Sequence, residues 1–238
     1  MDSIKRAATS ESIALDDFPI TEERRGYELI KRMQDVSMAI IALLLLSPLW
    51  LLIGLVIRLT SDGPAIHRQK NVIGRYGRPF TLYKFRTMFV NIDDAQHREA
   101  IARFVEGKAL DVIEKDGQEV PVYKLTRDPR VTPVGRFLRK TGLDEIPQLI
   151  NVLRGELALV GPRPPLDYEY ERYTNRHKRR LEVLPGITGL YQVTARSQVP
   201  FERMIEIDLD YVQRRSYWFD LKIMLLTPWV LITGKGAY

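Results

Sequence analysis

Two adjacent carboxylates at the start of a helical stretch are the sharpest chemical signal in the chain. They lie in Thr141-Gly142-Leu143-Asp144-Glu145-Ile146-Pro147. Thr141 has the chemistry of a helix cap. This predicts a helix from about Leu143 to Arg154 that ends at Gly155, with Asp144 at its third position. Ile146, Leu149, Ile150 and Leu153 recur at i, i+3, i+4 and i+7 and mark the expected core face; Asp144 and Gln148 fall on a polar one. A carboxylate held ionised by a helix N-terminus can ligate Mg²⁺ or attack phosphorus. A capping box is the competing explanation, with Asp144 satisfying backbone donors and nothing more.

An anionic substrate repels a carboxylate, so the same site needs cations. Arg136, Arg139, Lys140, Arg163 and Arg196 are the candidates. Arginine suits the task because its planar guanidinium offers paired donors to phosphate. A merely solvated or lipid-facing surface is the alternative use of such charges. Other chemistries lack their signatures. The chain has no cysteine, which excludes thiolate catalysis and disulfides, and three histidines without metal-ligand spacing. No P-loop, G-x-S-x-G or H-E-x-x-H pattern is present.

The elements that must position these residues begin with a membrane-length run. Val36 to Ile57 carries no charge, and about 20 apolar residues suffice to cross a bilayer. Ser47-Pro48 sits at its centre, where proline removes a backbone donor and predicts a kink. Ser47 can satisfy a carbonyl freed there. Arg24, Arg25, Lys31 and Arg32 precede the run; Arg58, Arg68, Lys70, Arg75 and Arg78 follow it. Positive flanks favour the cytoplasmic side, so basic residues at both ends suggest a segment that enters and returns. An ordinary spanning helix with a proline kink fits the same residues.

Further along, Ala65 to Met88 has strand character with turns at Gly74 and Gly77-Arg78-Pro79. Residues 92 to 106 read as a helix, and Asp116-Gly117 as a hairpin turn. Thr132-Pro133 opens another helix. A short strand, Leu157 to Val160, feeds the loop Gly161-Pro162-Arg163-Pro164-Pro165. A charged helix is expected over about 167 to 183, a turn-rich loop at Pro185 to Gly189, and a helix over about 200 to 215. Leu221 to Thr233 is too short to span. With Tyr217, Trp218, Phe219 and Trp229 around it, it reads as interfacial, or else as a core helix. The 238 residues, net charge of +6 and pI near 9.5 fit a folded domain with anionic partners. Met1 to Pro19 is polar and acidic, unlike a signal peptide.

Several of these segments, in this order, closely resemble the bacterial sugar transferase family of monotopic phosphoglycosyl transferases. They are Lys84-Phe85-Arg86-Thr87-Met88, Asp128-Pro129-Arg130-Val131-Thr132, Leu143 through Gly155, Gly161-Pro162-Arg163-Pro164 and Pro185 through Gly189. The resemblance is collinear from about Lys31 to Thr233. It implies a mixed α/β, helix-rich monotopic membrane protein. Its parts are a mobile polar tail (1–25), a re-entrant helical hairpin broken at Ser47-Pro48 (26–62) and a cytoplasmic catalytic domain with interfacial C-terminal helices (63–238). It resembles the family's minimal form, and implies the bacterial inner membrane as its location.

The resemblance also implies an activity. Asp144 is the expected nucleophile on the β-phosphate of a UDP-sugar, releasing UMP and leaving a phosphosugar–aspartyl intermediate. Undecaprenyl phosphate is the expected acceptor, and the product starts exopolysaccharide assembly. Mg²⁺ is expected near Asp144, with Glu145 helping to place the metal or the acceptor. Lys84, Arg86, Arg136, Arg139, Arg163 and Arg196 are the expected phosphate or nucleotide contacts. A hexose such as glucose or galactose is the favoured donor sugar, and N-acetylated sugars stay open. Relatives often carry Ser at Gly142, Trp at Leu190 and Gly at Ala195, departures that bear on sugar and uracil contacts. A non-catalytic adaptor binding anionic lipid is the rival reading. A nucleic-acid binder is disfavoured, because basic and aromatic residues are not interleaved.

Overall fold

The computed structural model describes residues 25–90, 95–115, 118–123, 128–195 and 198–233. The expected polar tail and the Asp116-Gly117 turn lie outside these residues. The fold is mixed α/β and helix-rich. Its dominant element is α1, Arg25–Thr60, a single 36-residue helix with Pro48 inside it. At 1.5 Å per residue it is about 54 Å long, and it is long and apolar enough to cross a membrane. Pro48 has no amide to give the carbonyl of Leu44. Ser47 Oγ donates to that carbonyl instead, at 2.8 Å, so the acceptor is satisfied within the helix.

Only one stripe of α1 faces protein. Ala39, Ile53 and Ile57 are buried, and Ala42, Leu43, Leu46, Leu49 and Trp50 pack beside them. Leu44, Leu45, Leu51, Leu55 and Leu59 stay exposed. Beyond its charged first turns, a helix with such an apolar row facing outward is consistent with a membrane anchor.

β1 (Ile66–Ile73) and β2 (Pro79–Phe85) form an antiparallel ribbon, with an irregularity between Gln69 and Val72. α2 (Ala95–Val105) follows, then the antiparallel pair β3 (Asp111–Lys115) and β4 (Gln118–Val122), with Lys115 opposite Gln118. α3 (Pro133–Thr141) starts as expected: Thr132 Oγ1 accepts from the Gly135 amide, and proline occupies the first turn. A 3₁₀ turn, Leu143–Glu145, leads to α4 (Gln148–Arg154), which ends at left-handed Gly155. β5 (Ala158–Val160) precedes α5 (Asp167–Tyr170) and α6 (Asn175–Lys178). The expected helix over 167 to 183 is therefore split, because Thr174 caps α6 with its own box to His177. β6 (Gly186–Thr188) then pairs parallel with β5. Residues read as a turn-rich loop are thus a short strand, a pairing their own sequence does not announce. α7 (Leu190–Thr194), α8 (Phe201–Arg214) and α9 (Tyr217–Thr233) complete the chain. Tyr217, Trp218, Leu225 and Trp229 of α9 are exposed while Phe219 and Ile223 are buried. The helix thus has a core face and an aromatic-rich outer face.

Two cores result. One joins α1 to β1, β2, α3 and α4 through Phe85, Leu138, Leu149 and Val152. The other joins α7, α8 and α9 around Phe201, Ile205, Tyr211 and Ile223. Asp220 of α9 stitches them. Its carboxylate accepts from Tyr27 Oη at 2.8 Å, Lys31 Nζ at 2.7 Å and Tyr211 Oη at 2.8 Å. Asp220 is 1% exposed and Lys31 8%.

Removing one side of a buried, multiply bonded pair strands the other. Asp220→Ala should destabilise the protein by about 3–5 kcal/mol. The exposed Lys108–Glu106 pair is the control, since Lys108→Ala should change stability by less than about 1 kcal/mol. Denaturant unfolding in detergent micelles measures both.

Candidate functional site

The acidic pair is placed by three contacts that hold β2 against the helices beside it. Thr87, just past β2, gives its carbonyl to the Thr132 amide at 3.0 Å. Met88 bridges to Val131. A Cβ on Gly135 would collide with the Thr87 backbone, so glycine lets α3 lie directly on the strand end. Asn151 of α4, fully buried, does the rest. Its Nδ2 donates to the Thr81 carbonyl at 2.7 Å and its Oδ1 accepts from the Tyr83 amide at 3.1 Å. One side chain thereby pairs with the strand edge as a neighbouring strand would. Arg154 adds a bond to Tyr83 Oη at 2.6 Å.

Asp144 and Glu145 sit in the 3₁₀ turn between these helices, half-buried. The sequence reading of their surroundings needs three corrections. Thr141 is not a helix cap: it is the last residue of α3, and its hydroxyl bonds back to the carbonyls of Phe137 and Leu138. Gly142 closes α3 at φ 71° and sets the direction of the turn. Asp144 is consequently mid-turn rather than third in a long helix. The buried face of the next helix is also shifted. Ile146 and Leu149 are buried as expected, but Gln148, Asn151 and Val152 join them while Leu153 is exposed. The shift follows from Asn151, whose polar side chain is drawn inward by strand β2.

Lys84, Arg139 and Arg163 gather at this pair. Burial lowers the Lys84 ammonium from its ordinary range; Glu145 and Asp144 pull it back up, while Arg163 and Arg139 push it further down. Charges felt at Lys84 from these four groups put them in its neighbourhood. Arg139 is held by its Nε bond to Thr87 Oγ1 at 2.9 Å; burial lowers its guanidinium from the ordinary range, while Asp144 and Asp128 favour its charged form. Arg163 is exposed on the loop after β5. Arg136 is exposed on α3, one turn before Arg139. Arg86 does not join the group: its Nη2 bonds Ser61 at the end of α1, through the carbonyl at 2.7 Å and the hydroxyl at 2.9 Å. Arg196 lies outside the described residues.

The Arg163 loop is itself a tertiary product. Gly161 donates to the Thr188 carbonyl and Gly186 to the Pro162 carbonyl, each at 2.9 Å. Backbone packs so closely that a Cβ on Gly161, Gly186 or Gly189 would overlap main-chain atoms. Beneath it lies Arg180, 1% exposed, whose Nη2 donates to the Arg163 carbonyl at 2.8 Å and pairs with Asp208 at 2.5 Å. Its Nη1 donates to Tyr173 Oη at 2.7 Å, and that hydroxyl donates to Glu169 at 2.6 Å. Neither Arg180 nor Asp208 stands out in the sequence, since each sits in a charged stretch that reads as solvated surface.

Among the described residues no group of three or more His, Asp or Glu side chains could hold a metal. A pair of carboxylates is nonetheless an adequate protein share for Mg²⁺, which takes one or two carboxylates and completes its shell with water and substrate phosphate. Asp144 and Glu145 supply that hard-oxygen pair.

The bacterial sugar transferase profile matches residues 26–234. The chain belongs to that family. It is 38% identical over 235 residues to galactosyl transferase CpsE of Streptococcus agalactiae, covering 98% of this chain and 49% of the relative. It is 41% identical over 216 residues to the undecaprenyl-phosphate galactose phosphotransferase of Salmonella typhimurium, covering 90% and 43%. The chain therefore spans about half the length of these two relatives. With the exopolysaccharide production protein ExoY of Rhizobium meliloti it shares 39% identity over 212 residues, and 88% of each chain is covered.

The Asn151 clamp is testable apart from any activity. Asn151→Leu keeps the volume but orphans the Thr81 carbonyl and the Tyr83 amide, each worth about 1–3 kcal/mol. A lowered unfolding midpoint is expected; a midpoint unchanged from the parent would show that water takes over both bonds.

Proposed function

We propose that this chain transfers a sugar 1-phosphate from a UDP-sugar to undecaprenyl phosphate, releasing UMP, and so starts exopolysaccharide assembly. The observation that carries the reading is the Asp144–Glu145 pair set among Lys84, Arg139 and Arg163, in a family whose relatives include the galactose phosphotransferase and ExoY. Phosphoryl transfer is mainly positioning and charge neutralisation, and this arrangement offers both.

In the proposed reaction an Asp144 carboxylate oxygen forms a bond to the β-phosphorus. The bond from that phosphorus to the bridging oxygen breaks, and the electron pair leaves with UMP. An oxygen of undecaprenyl phosphate then attacks the same phosphorus, the aspartyl–phosphorus bond breaks, and a lipid diphosphate sugar is released. Splitting the transfer lets a soluble donor and a lipid acceptor use one site in turn. Lys84, Arg139 and Arg163 offset the phosphate charge, and Arg180 holds the Arg163 loop in place. Asp144, with Glu145 beside it, would hold Mg²⁺, which when bound adds neutralisation of the diphosphate. A hexose such as galactose or glucose is the proposed donor sugar.

α1 is proposed to re-enter the inner leaflet rather than to span, with the catalytic domain facing the cytoplasm. Support comes from both of its ends. Lys31 near the start bonds Asp220 and Arg32 bonds the carbonyls of Val152 and Leu153. At the far end Ser61 is bonded by Arg86. Both ends rest on one basic domain, which belongs on one side of a membrane.

Asp144→Asn should abolish UMP release from a panel of UDP-sugars with undecaprenyl phosphate and Mg²⁺, while membrane attachment is unchanged. Undiminished release would sink the mechanism. No UMP from any donor with the parent protein would favour the lipid-binding adaptor. The Lys84 cation is present below its lowered pKa and is lost as pH rises through it. Activity should therefore decline on the alkaline side, and Lys84→Arg should move that decline to higher pH in a kcat/KM profile.

A further inference from the structure

A second cationic site lies where α1 leaves the apolar layer. Arg58, Pro64, Ala65, Ile66, His67, Arg68, Arg86 and Val90 enclose a cavity of about 560 Å³. Arg86 is only 5% exposed. Its Nη2 is committed to Ser61, but its Nε and Nη1 are buried without a hydrogen-bond partner among the described residues. A buried guanidinium left half unmatched is costly unless an anion meets it. Burial lowers the Arg86 guanidinium from its ordinary range, Arg58 works against its charge as well, and the exposed Asp62 favours it. Gly63, at φ 107°, packs against Nη1 where a Cβ would clash, so the loop is shaped around this arginine.

The surroundings say what kind of anion fits. Three arginines line one cavity together with apolar Pro64, Ala65, Ile66 and Val90. Leu55, Leu59, Phe89 and Val90 are exposed nearby in the chain. Cations beside outward-facing apolar residues, at the end of a helix made for lipid, match a phosphate headgroup with acyl or prenyl chains alongside.

We propose that this cavity is a lipid-phosphate site, separate from the acidic pair, that seats the headgroup of a phosphorylated membrane lipid. Bilayer phospholipid and the polyprenyl phosphate acceptor share that chemistry. The site connects to the acidic pair through Thr87, which follows Arg86 and holds Arg139.

Native mass spectrometry of the full chain in maltoside micelles tests this, using short-chain phosphatidylglycerol and farnesyl phosphate as separate probes. One-to-one adducts that persist in excess UDP are expected. Arg58 and Arg68 are both exposed, and the double variant Arg58→Gln/Arg68→Gln should weaken the adducts about tenfold or more. Arg86→Lys should weaken them as well, without lowering the unfolding midpoint to the same degree. Tighter phosphatidylglycerol binding assigns the site to bilayer lipid; tighter farnesyl phosphate binding assigns it to the acceptor. Displacement by UDP, equal competition by inorganic phosphate, or adducts insensitive to the double variant would overturn the proposal. Binding is read without turnover, so its failure leaves the transferase reading standing.

Discussion

A buried carboxylate joins the long apolar helix to the rest of this protein. Asp220 takes hydrogen bonds from Tyr27 and Lys31 of α1 and from Tyr211 of α8. Asp35, one turn beyond Lys31, extends the junction by accepting from the Leu159 amide of β5 at 3.3 Å. Charges this well covered hold only in one geometry, because each loses water and must find its partners. The long apolar helix is therefore locked in direction at its first turns. The elements that carry the acidic pair, packed on it, inherit that setting.

From there the structure builds the acidic pair largely from backbone. Gly142 ends one helix, a single 3₁₀ turn carries Asp144 and Glu145, and Asn151 clasps the strand that bears Lys84. None of these contacts depends on the reacting groups themselves. Under the proposed transfer this separation matters, since it leaves the carboxylates and cations to meet a charged substrate while neutral bonds hold the frame.

The arginines divide by position. Arg139 and Arg163 stand at the acidic pair, Arg180 is buried beneath the Arg163 loop, and Arg86 closes the end of α1. Basic composition is a single number, yet the arginines take three distinct positions here: beside an acidic pair, beneath a loop and at the end of the long apolar helix.

Local order was legible in the sequence wherever one segment decides its own shape. The uncharged run from Val36 to Ile57 lies within one long helix with an exposed apolar row. Thr132-Pro133 opens a helix, Gly155 closes one, and Ser47 reaches the carbonyl that Pro48 leaves unpaired. The five motifs from Lys84 to Gly189, taken in order, were sufficient to reveal the family. What the tertiary structure alone decided involves partners far apart in the chain. Two glycine–proline loops combine through a parallel strand pair, and Asn151 turns the buried face of its helix away from the expected apolar stripe. Arg86 turns to α1 rather than to the acidic pair. Hydrophobic period and capping act over a few residues and can be read from spacing. The partner of a buried polar group is chosen by which distant backbone leaves a bond unfilled, and only the folded chain contains that information.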